Sequence, residues 1–152
     1  MIVTVKQIPG QPDEVIIQYD KMTPEIERMI HFAKSGSVSL VGKMDDEKVQ
    51  VKAEDILYIE TVDQKTFVYT DSDVVRVDMT LTSLMEILDN IRFFRCSKSM
   101  IINIDKVLRL KSLPSNRIDA TMQGGEHILI SRTYASEFRK RIAGGGRDHE
   151  GK

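Results

Sequence analysis

The sequence lacks the features that would place it in a membrane or in an oxidising compartment. Its apolar runs are only a few residues long, as in Ile56–Ile59, whereas a membrane-spanning helix needs about 20 apolar residues. Met1 leads directly into a strand-like segment rather than into a signal peptide. The single cysteine, Cys96, cannot form a disulfide within the chain, which fits a reducing compartment. We therefore expect a cytoplasmic protein.

The sequence also lacks the converging reactive groups that an enzyme needs. The three histidines, His31, His127 and His149, fall in a predicted helix, a predicted strand and the C-terminal tail, so they share no metal-ligand spacing. The glycines at 144–146 are not followed by the lysine and helix of a phosphate-binding loop. Cys96 is either a redox-active thiol or, the interpretation we favour, a small buried residue. We expect no enzyme activity, no metal, no cofactor and no small-molecule substrate.

Charge is segregated along the chain, although the net charge is only -1. Residues 45–91 carry 4 basic and 12 acidic side chains, a balance of -8. Residues 92–117 have a balance of +6 and residues 131–142 a balance of +3. Binding to DNA phosphates requires a local positive face rather than a positive total. The two basic segments therefore permit nucleic-acid binding, but they are equally compatible with ordinary solvated faces.

Residues 1–44 predict a small β-β-α extension. Met1–Val5 and Glu14–Tyr19 have strand character and are separated by a turn that contains two prolines. A helix follows, because Thr23 suits the N-cap and Pro24 the first helical position. The helix carries one apolar stripe, which consists of Ile26, Met29, Ile30 and Ala33. Such a small unit buries too little apolar surface alone, so the stripe needs the main domain or a second subunit, and we predict a homodimer contact.

Residues 45–143 predict a mainly β domain of antiparallel sheets. After Val38–Lys43, short strand patterns separated by turn residues occur at Lys48–Ala53, Ile56–Val62, Phe67–Thr70, Val74–Asp78, Met100–Ile104, Val107–Lys111, Arg117–Met122 and Ile128–Ile130. Short helices begin near Thr80 and Ser131. The tail, residues 144–152, has no apolar anchor and is predicted to be disordered. There is no short helix-turn-helix pattern, so any reading of DNA has to use loops and strand ends.

Three segments of this region carry a resemblance to a known family. Asp55–Thr61 reads DILYIET, Phe93–Asn103 reads FFRCSKSMIIN, and Ile130–Tyr134 reads ISRTY and is followed by a short basic helix. In this order and at these separations they resemble the motifs of the LytTR DNA-binding domain. The resemblance covers about residues 44–142. The chain resembles the stand-alone LytTR transcriptional regulators, because the 44 preceding residues are too few for a receiver domain.

The resemblance implies an elongated arrangement of small antiparallel sheets whose loops enter successive grooves of double-stranded DNA at direct-repeat promoter sites. The DNA contact positions that the resemblance implies are Asp63, Gln64, Lys65, Thr66, Ser97, Lys98, Ser99, Ser131 and Arg132. To these we add two neighbours from the basic segments, Arg95 and Thr133. The resemblance also implies a bacterial transcription regulator, often a dimer. A membrane-protein regulator encoded nearby is implied as a further partner.

The chemistry of these positions supports the same interpretation. Arg132 follows a predicted N-cap, where its guanidinium can reach guanine O6 and N7; the alternative is an ordinary surface arginine. Lys98 lies between two serines and suits contact with the DNA backbone or minor groove, unless the segment is only a polar strand entrance. The loop at 64–66 fits a solvated hairpin turn nearly as well. The alternative function is a β-rich protein-interaction module without specific DNA binding, which the acidic balance of residues 45–91 favours.

Overall fold

The computed structural model of the chain describes residues 1–35 and 38–144. The helices are α1 (Pro24–Ser35), α2 (Leu81–Ile87) and α3 (Arg132–Gly144). The strands are β1 (Ser39–Met44), β2 (Glu47–Lys52), β3 (Tyr58–Val62), β4 (Lys65–Tyr69), β5 (Val74–Val77), β6 (Phe93–Ser97), β7 (Met100–Asn103), β8 (Val107–Leu113), β9 (Arg117–Met122) and β10 (His127–Ile130). Strands pair antiparallel throughout the described residues. The predicted mainly β class is confirmed.

The strands form two sheets that enclose two hydrophobic cores. The larger sheet has seven strands in the order β2-β1-β5-β4-β3-β7-β6, and the smaller has three in the order β10-β9-β8. In the first core, α2 residues such as Leu84 pack with sheet residues such as Val68. In the second core, Phe94 of β6 and Phe138 of α3 pack edge to face with ring centroids 5.3 Å apart, together with Ile118 of the small sheet. The second core therefore fixes α3 and the small sheet against β6.

Strand β6 was not among the predicted strands, although its residues were part of a recognised motif. Phe93 belongs to the first core and Phe94 to the second, so both faces of this strand are buried. A strand buried on both faces has no alternation of apolar and polar residues to reveal it. The missing signal is therefore a consequence of where β6 lies.

The prediction of two N-terminal strands is wrong. Met1–Val5 and Glu14–Tyr19 form no strand in the described structure. In the turn between them, a long hydrogen bond runs from Gln11 N to Ile8 O at 3.4 Å. A lone two-stranded hairpin is marginal in water, and the two prolines beside this turn remove N–H donors. β-prone residues alone therefore do not make a sheet here.

The predicted helix of this extension is confirmed as α1, whereas Ser39–Met44, which was predicted to belong to the extension, is strand β1 of the large sheet. Thr23 caps it, since its Oγ1 accepts from Ile26 N at 3.2 Å. At the other end of the chain α3 extends to Gly144, and the rest of the predicted disordered tail lies outside the described residues. Within residues 1–35 and 38–144, no helix combines the length and apolarity needed to cross a membrane.

Candidate nucleic-acid interface

The first predicted contact segment lies in the β3–β4 hairpin. Val62 pairs with Lys65, which leaves Asp63 and Gln64 as a two-residue turn with φ values of 51° and 65°. Two consecutive left-handed residues are the type I′ geometry that matches the twist of a hairpin, although glycine or asparagine usually occupies it. Gln64 and Lys65 are exposed. The turn therefore projects both side chains into solvent.

Thr66, which was predicted to contact DNA, is instead part of the protein interior. Its side chain is only 5% exposed, and its hydroxyl donates to the carbonyl oxygen of Met79 at 2.7 Å. A buried hydroxyl that already has a partner would lose that bond if it turned toward a ligand. Thr66 therefore supports the hairpin, and the prediction of a DNA contact there is not compatible with its burial.

The second segment is the turn between β6 and β7. The strand ladder shifts register between Arg95 and Ser97, so Cys96 lies in a β-bulge. After the bulge, Ser99 N donates to Ser97 Oγ at 3.2 Å, while Lys98 and Ser99 are exposed. Bulges re-aim side chains at the end of a hairpin. Here the bulge leaves Lys98 at the tip of the turn.

Arg95 holds this turn in place. Its Nε donates to the carbonyl oxygen of Ser97 at 3.1 Å, and its terminal nitrogen donates to that of Lys98 at 2.6 Å. A guanidinium that bridges two carbonyl groups fixes the backbone between them, because its donors form a rigid fork. Arg95 is therefore a positioning residue in this structure, rather than a free cation as the sequence suggested.

The third segment starts α3. Ser131 N donates to the carbonyl oxygen of Cys96 at 3.0 Å, and Ser131 O accepts from Tyr134 N and Ala135 N at 3.0 and 2.9 Å. Arg132 and Thr133, in the first turn of the helix, are exposed, and Ser131 is half-buried. The carbonyl that the bulge takes out of the β6–β7 ladder thus anchors the start of α3.

The three segments lie side by side in the fold. Thr61 N, near the end of β3, donates to the carbonyl oxygen of Ser99 at 2.8 Å, and the bond from Ser131 N reaches the bulge that precedes the same turn. Segments that are far apart in sequence are thereby joined by backbone hydrogen bonds. We call this set of exposed and half-buried residues, Gln64–Lys65, Ser97–Ser99 and Ser131–Thr133, the contact ridge.

The free positive charge on the contact ridge is smaller than the sequence count implied. Lys65, Lys98 and Arg132 are exposed, and none of them is in an ion pair within the described residues. By contrast, Arg92 is paired with the buried Asp89 at 2.8 Å. Arg95, as described, and Arg117, which donates to Pro114 O at 3.1 Å, are also used internally. Much of the basic segment 92–117 therefore stabilises the fold.

Cys96 is fully buried beneath the ridge. Burial raises the pKa of its thiol to about 12, and Sγ lies 3.7 Å from the carbonyl oxygen of Met100. The thiolate, which is the reactive form, is therefore scarce at neutral pH. This environment fits the interpretation of a small core residue and does not fit a redox switch.

Asn103 is a structural residue whose role the sequence did not indicate. Its side chain is 1% exposed; Nδ2 donates to Ile56 O at 2.7 Å, and Oδ1 accepts from Asp105 N at 3.0 Å. It ends the second motif, so the motif itself was visible. Its partner Ile56 is 47 residues away, however, and no local pattern reveals such a contact. Asn103 joins β7 to the chain that enters β3.

The predicted dimer stripe on α1 is partly covered by its own chain. Ile26 and Ile30 are half-buried, whereas Met29 and Ala33 are exposed. An ion pair between Arg28 and Asp105, at 3.9 Å, links α1 to the main domain. In the described part of the chain, no three His, Cys, Asp or Glu residues are placed to hold a metal.

Comparisons with known proteins place these residues in a known domain. The family model described as the LytTr DNA-binding domain matches residues 46–143. The sensory transduction protein LytT of Bacillus cereus is 31% identical over 97 residues, which cover 64% of this chain and 39% of LytT. The transcriptional regulatory protein YpdB of Escherichia coli is 28% identical over 102 residues, 66% of this chain and 42% of YpdB. The chain thus spans about two fifths of the length of these relatives.

A solved structure has a similar fold. It is the LytTr DNA-binding domain of a protein described as a methyl-accepting/DNA response regulator from Bacillus cereus. The TM-score is 0.68 at 26% sequence identity, and the match covers 70% of this chain and 98% of that domain. The match therefore includes nearly all of the solved domain.

Proposed function

The chain belongs to the LytTr DNA-binding domain family, and on that premise we propose that it is a bacterial transcription regulator that binds specific sequences in double-stranded DNA. The contact ridge carries the proposal, because it presents Lys65, Lys98 and Arg132 from three distant segments on one hydrogen-bonded frame. Loops and a helix start, rather than a helix-turn-helix, then read direct-repeat promoter sites. Separate segments on a rigid frame suit groove contacts, since the geometry is set before binding.

Arg132 is the candidate for sequence readout within the ridge. It is exposed at the start of α3, and its guanidinium matches guanine O6 and N7 in the major groove. Ser131 and Thr133, on either side, are candidates for phosphate contact near the helix N-terminus. Lys98 and its flanking serines contact phosphates or the minor groove, and the hairpin tip at 64–65 supplies the weakest expected contact.

The first test is selection of bound sequences from a random duplex library, followed by affinity measurements on the selected site. Arg132→Ala is expected to weaken specific binding by about 1–3 kcal/mol and to relax preference at one position. Lys98→Ala is expected to lower the slope of log affinity against log salt by about 1. Arg109→Ala, an exposed arginine on β8 outside the ridge, is the control. Wild-type protein that selects no sequence over random duplex at moderate salt would refute the proposal.

The positioning role of Arg95 is tested by Arg95→Lys. Lysine keeps the charge but cannot bridge the carbonyl oxygens of Ser97 and Lys98 as a guanidinium does. We expect weaker specific binding with an unchanged salt slope, because no phosphate contact is lost. An affinity equal to that of the wild type would show that the bridge is dispensable.

We also propose that the chain forms a homodimer through the α1 stripe, since Met29 and Ala33 remain exposed on an apolar helix face. We further propose that it acts in the cytoplasm, which the short apolar runs and the single cysteine favour. Control by a membrane protein encoded nearby is a proposal that rests on the resemblance alone. Purification of the tagged chain from solubilised membranes, with and without the neighbouring membrane protein, tests the last of these.

The alternative, a protein-interaction module, is favoured by one observation. Strand β8 is an edge of the small sheet and exposes Leu108 and Leu110, 58% and 43% of their surfaces. An added strand from another protein could pair with such an edge. Capture of a stoichiometric protein partner, with chemical shifts at Ser97–Ser99 and Arg132 that do not respond to DNA, would favour this function over the first.

A further inference from the structure

Three cations lie in one row across the large sheet. Lys43 of β1 is directly opposite Lys48 of β2 on one side and directly opposite Arg76 of β5 on the other. Directly opposite residues in a sheet project from the same face. Lys43, Lys48 and Arg76, which we call the basic row, therefore share one face, and all three are exposed.

This arrangement is unfavourable in the free protein. Like charges on opposing strand positions repel, and Lys43 has such a neighbour on each side. None of the three forms an ion pair with any described residue. Val41 and Val74, on the same face, are 64% and 47% exposed, so no other part of the described chain covers the row. The fold itself needs no cation at these exposed positions, because the first core is built by the opposite face.

The basic row adjoins the contact ridge. Arg76 is directly opposite Phe67 of β4, and Lys65 is two residues before Phe67 on the same strand and face. From strand spacing, the Cα atoms of Arg76 and Lys65 are about 8 Å apart. Lys65 therefore connects the ridge to the row, and an anion bound along the ridge can extend onto the row without crossing another strand pair.

We propose that the basic row binds the phosphate backbone of DNA that flanks the sequence read by the contact ridge. This inference rests on the proposed function of the ridge. Phosphates supply the negative charge that the row lacks, and contacts to phosphates add affinity without sequence preference. Acidic residues near the row include Asp78, two positions after Arg76 and just past the end of β5, Glu60, directly opposite Phe67, and Asp45 and Asp46 in the β1–β2 turn; none of them forms an ion pair with the row in the described structure.

The test compares two charge-matched double variants. Lys43→Gln/Arg76→Gln removes two cations of the row, and Arg109→Gln/Lys111→Gln removes two exposed cations of β8. On a long duplex that contains the selected site, the row variant is expected to lower the salt slope by about 2, since each phosphate contact contributes about 0.9. The β8 variant should keep the wild-type slope. Both should keep the wild-type ratio of specific to non-specific affinity.

Duplex length locates the contact. On a duplex trimmed to the selected site, wild type and the row variant should have the same slope, because the flanking phosphates are absent. Without DNA and at low salt, the row variant should melt at a higher temperature than the wild type, since the repulsion is gone. Equal slopes on the long duplex would overturn the proposal, even where specific binding persists.

Two other outcomes are distinguishable. If the wild type has no sequence preference, the proposed function of the ridge fails, whereas a slope difference on random duplex would still support the row as a phosphate site. If the row variant loses binding to polyglutamate but keeps the wild-type slope on DNA, an acidic protein is the partner and the proposal is overturned.

Discussion

Residues 1–35 and residues 38–144 use the same kinds of apolar residue in opposite ways. In the first region, Ile2 and Val5 are 93% and 89% exposed, and one helix is the regular element. In the second, side chains such as Ile59 and Phe138 are fully buried in two cores. The contrast teaches that the main domain stabilises itself, while the extension has apolar surface that its own chain does not cover. We therefore expect subunits to associate through the extension.

The largest expected difference between the regions is in thiol reactivity. Cys96 is buried and its pKa is raised to about 12, so Ellman's reagent at pH 8 should react only when the domain opens. A cysteine placed at Val5 in a Cys96→Ala background should react at once. We expect the two rates to differ by about 10³ or more, as the stability of a small domain implies. Comparable rates would show that the ridge opens readily.

The same thiol predicts a pH dependence of stability. The folded pKa of Cys96 lies above its ordinary value of 9.0, so between about pH 9 and pH 12 the folded state holds a proton that the unfolded state has released. The contribution of Cys96 to stability is therefore complete below pH 9 and is lost as the pH rises toward 12. Urea unfolding of wild type and Cys96→Ala over this range measures it, and parallel pH profiles would contradict it.

The next largest effect is expected at Asn103. Asn103→Leu leaves the carbonyl oxygen of Ile56 and the N–H of Asp105 without this partner, and we expect the free energy of unfolding to fall by about 2–3 kcal/mol. Urea denaturation measures the change. Gln50→Leu, at an exposed amide on β2, is the control and should have little effect. Equal losses in both variants would mean that burial does not distinguish the two sites.

The smallest effect on stability is expected in the extension. Met29→Asp/Ala33→Asp places charge on the exposed part of the α1 stripe, so it should convert a dimer into a monomer in light scattering. The urea unfolding of the main domain, measured on the monomer, should change by less than about 0.5 kcal/mol. Glu25→Gln on the same helix is the control. A wild-type chain that is already monomeric at assay concentration would refute the dimer.

The sequence predicted most of the main domain because its strands alternate and its turns are polar. The prediction failed where the formation of a strand depends on its neighbouring strands. Met1–Val5 has the composition of a strand but no strand beside it, and β6 has a strand beside it but no alternation. Local sequence carries propensity, whereas pairing is a property of the assembled sheet.

The position of the candidate site was predictable, but not which of its residues form hydrogen bonds within the fold and which remain exposed. The motifs located all three segments of the contact ridge. They could not reveal that Thr66 donates to Met79 O or that Arg95 bridges two carbonyl groups, because those partners depend on backbone geometry. Arg95 and Arg132 have the same side chain but different surroundings, for a reason that composition cannot show.

The hydrogen bond from Ser131 N to the carbonyl oxygen of Cys96 has a consequence for synthesis of the chain. Translation delivers the N-terminal segments first, so a ribosome-bound chain has the turns at 63–64 and 97–99 before it has α3. The ridge is completed only when residues after 130 emerge and dock on β6. An unfinished chain therefore lacks Arg132, and we expect it to bind DNA more weakly than the finished protein does.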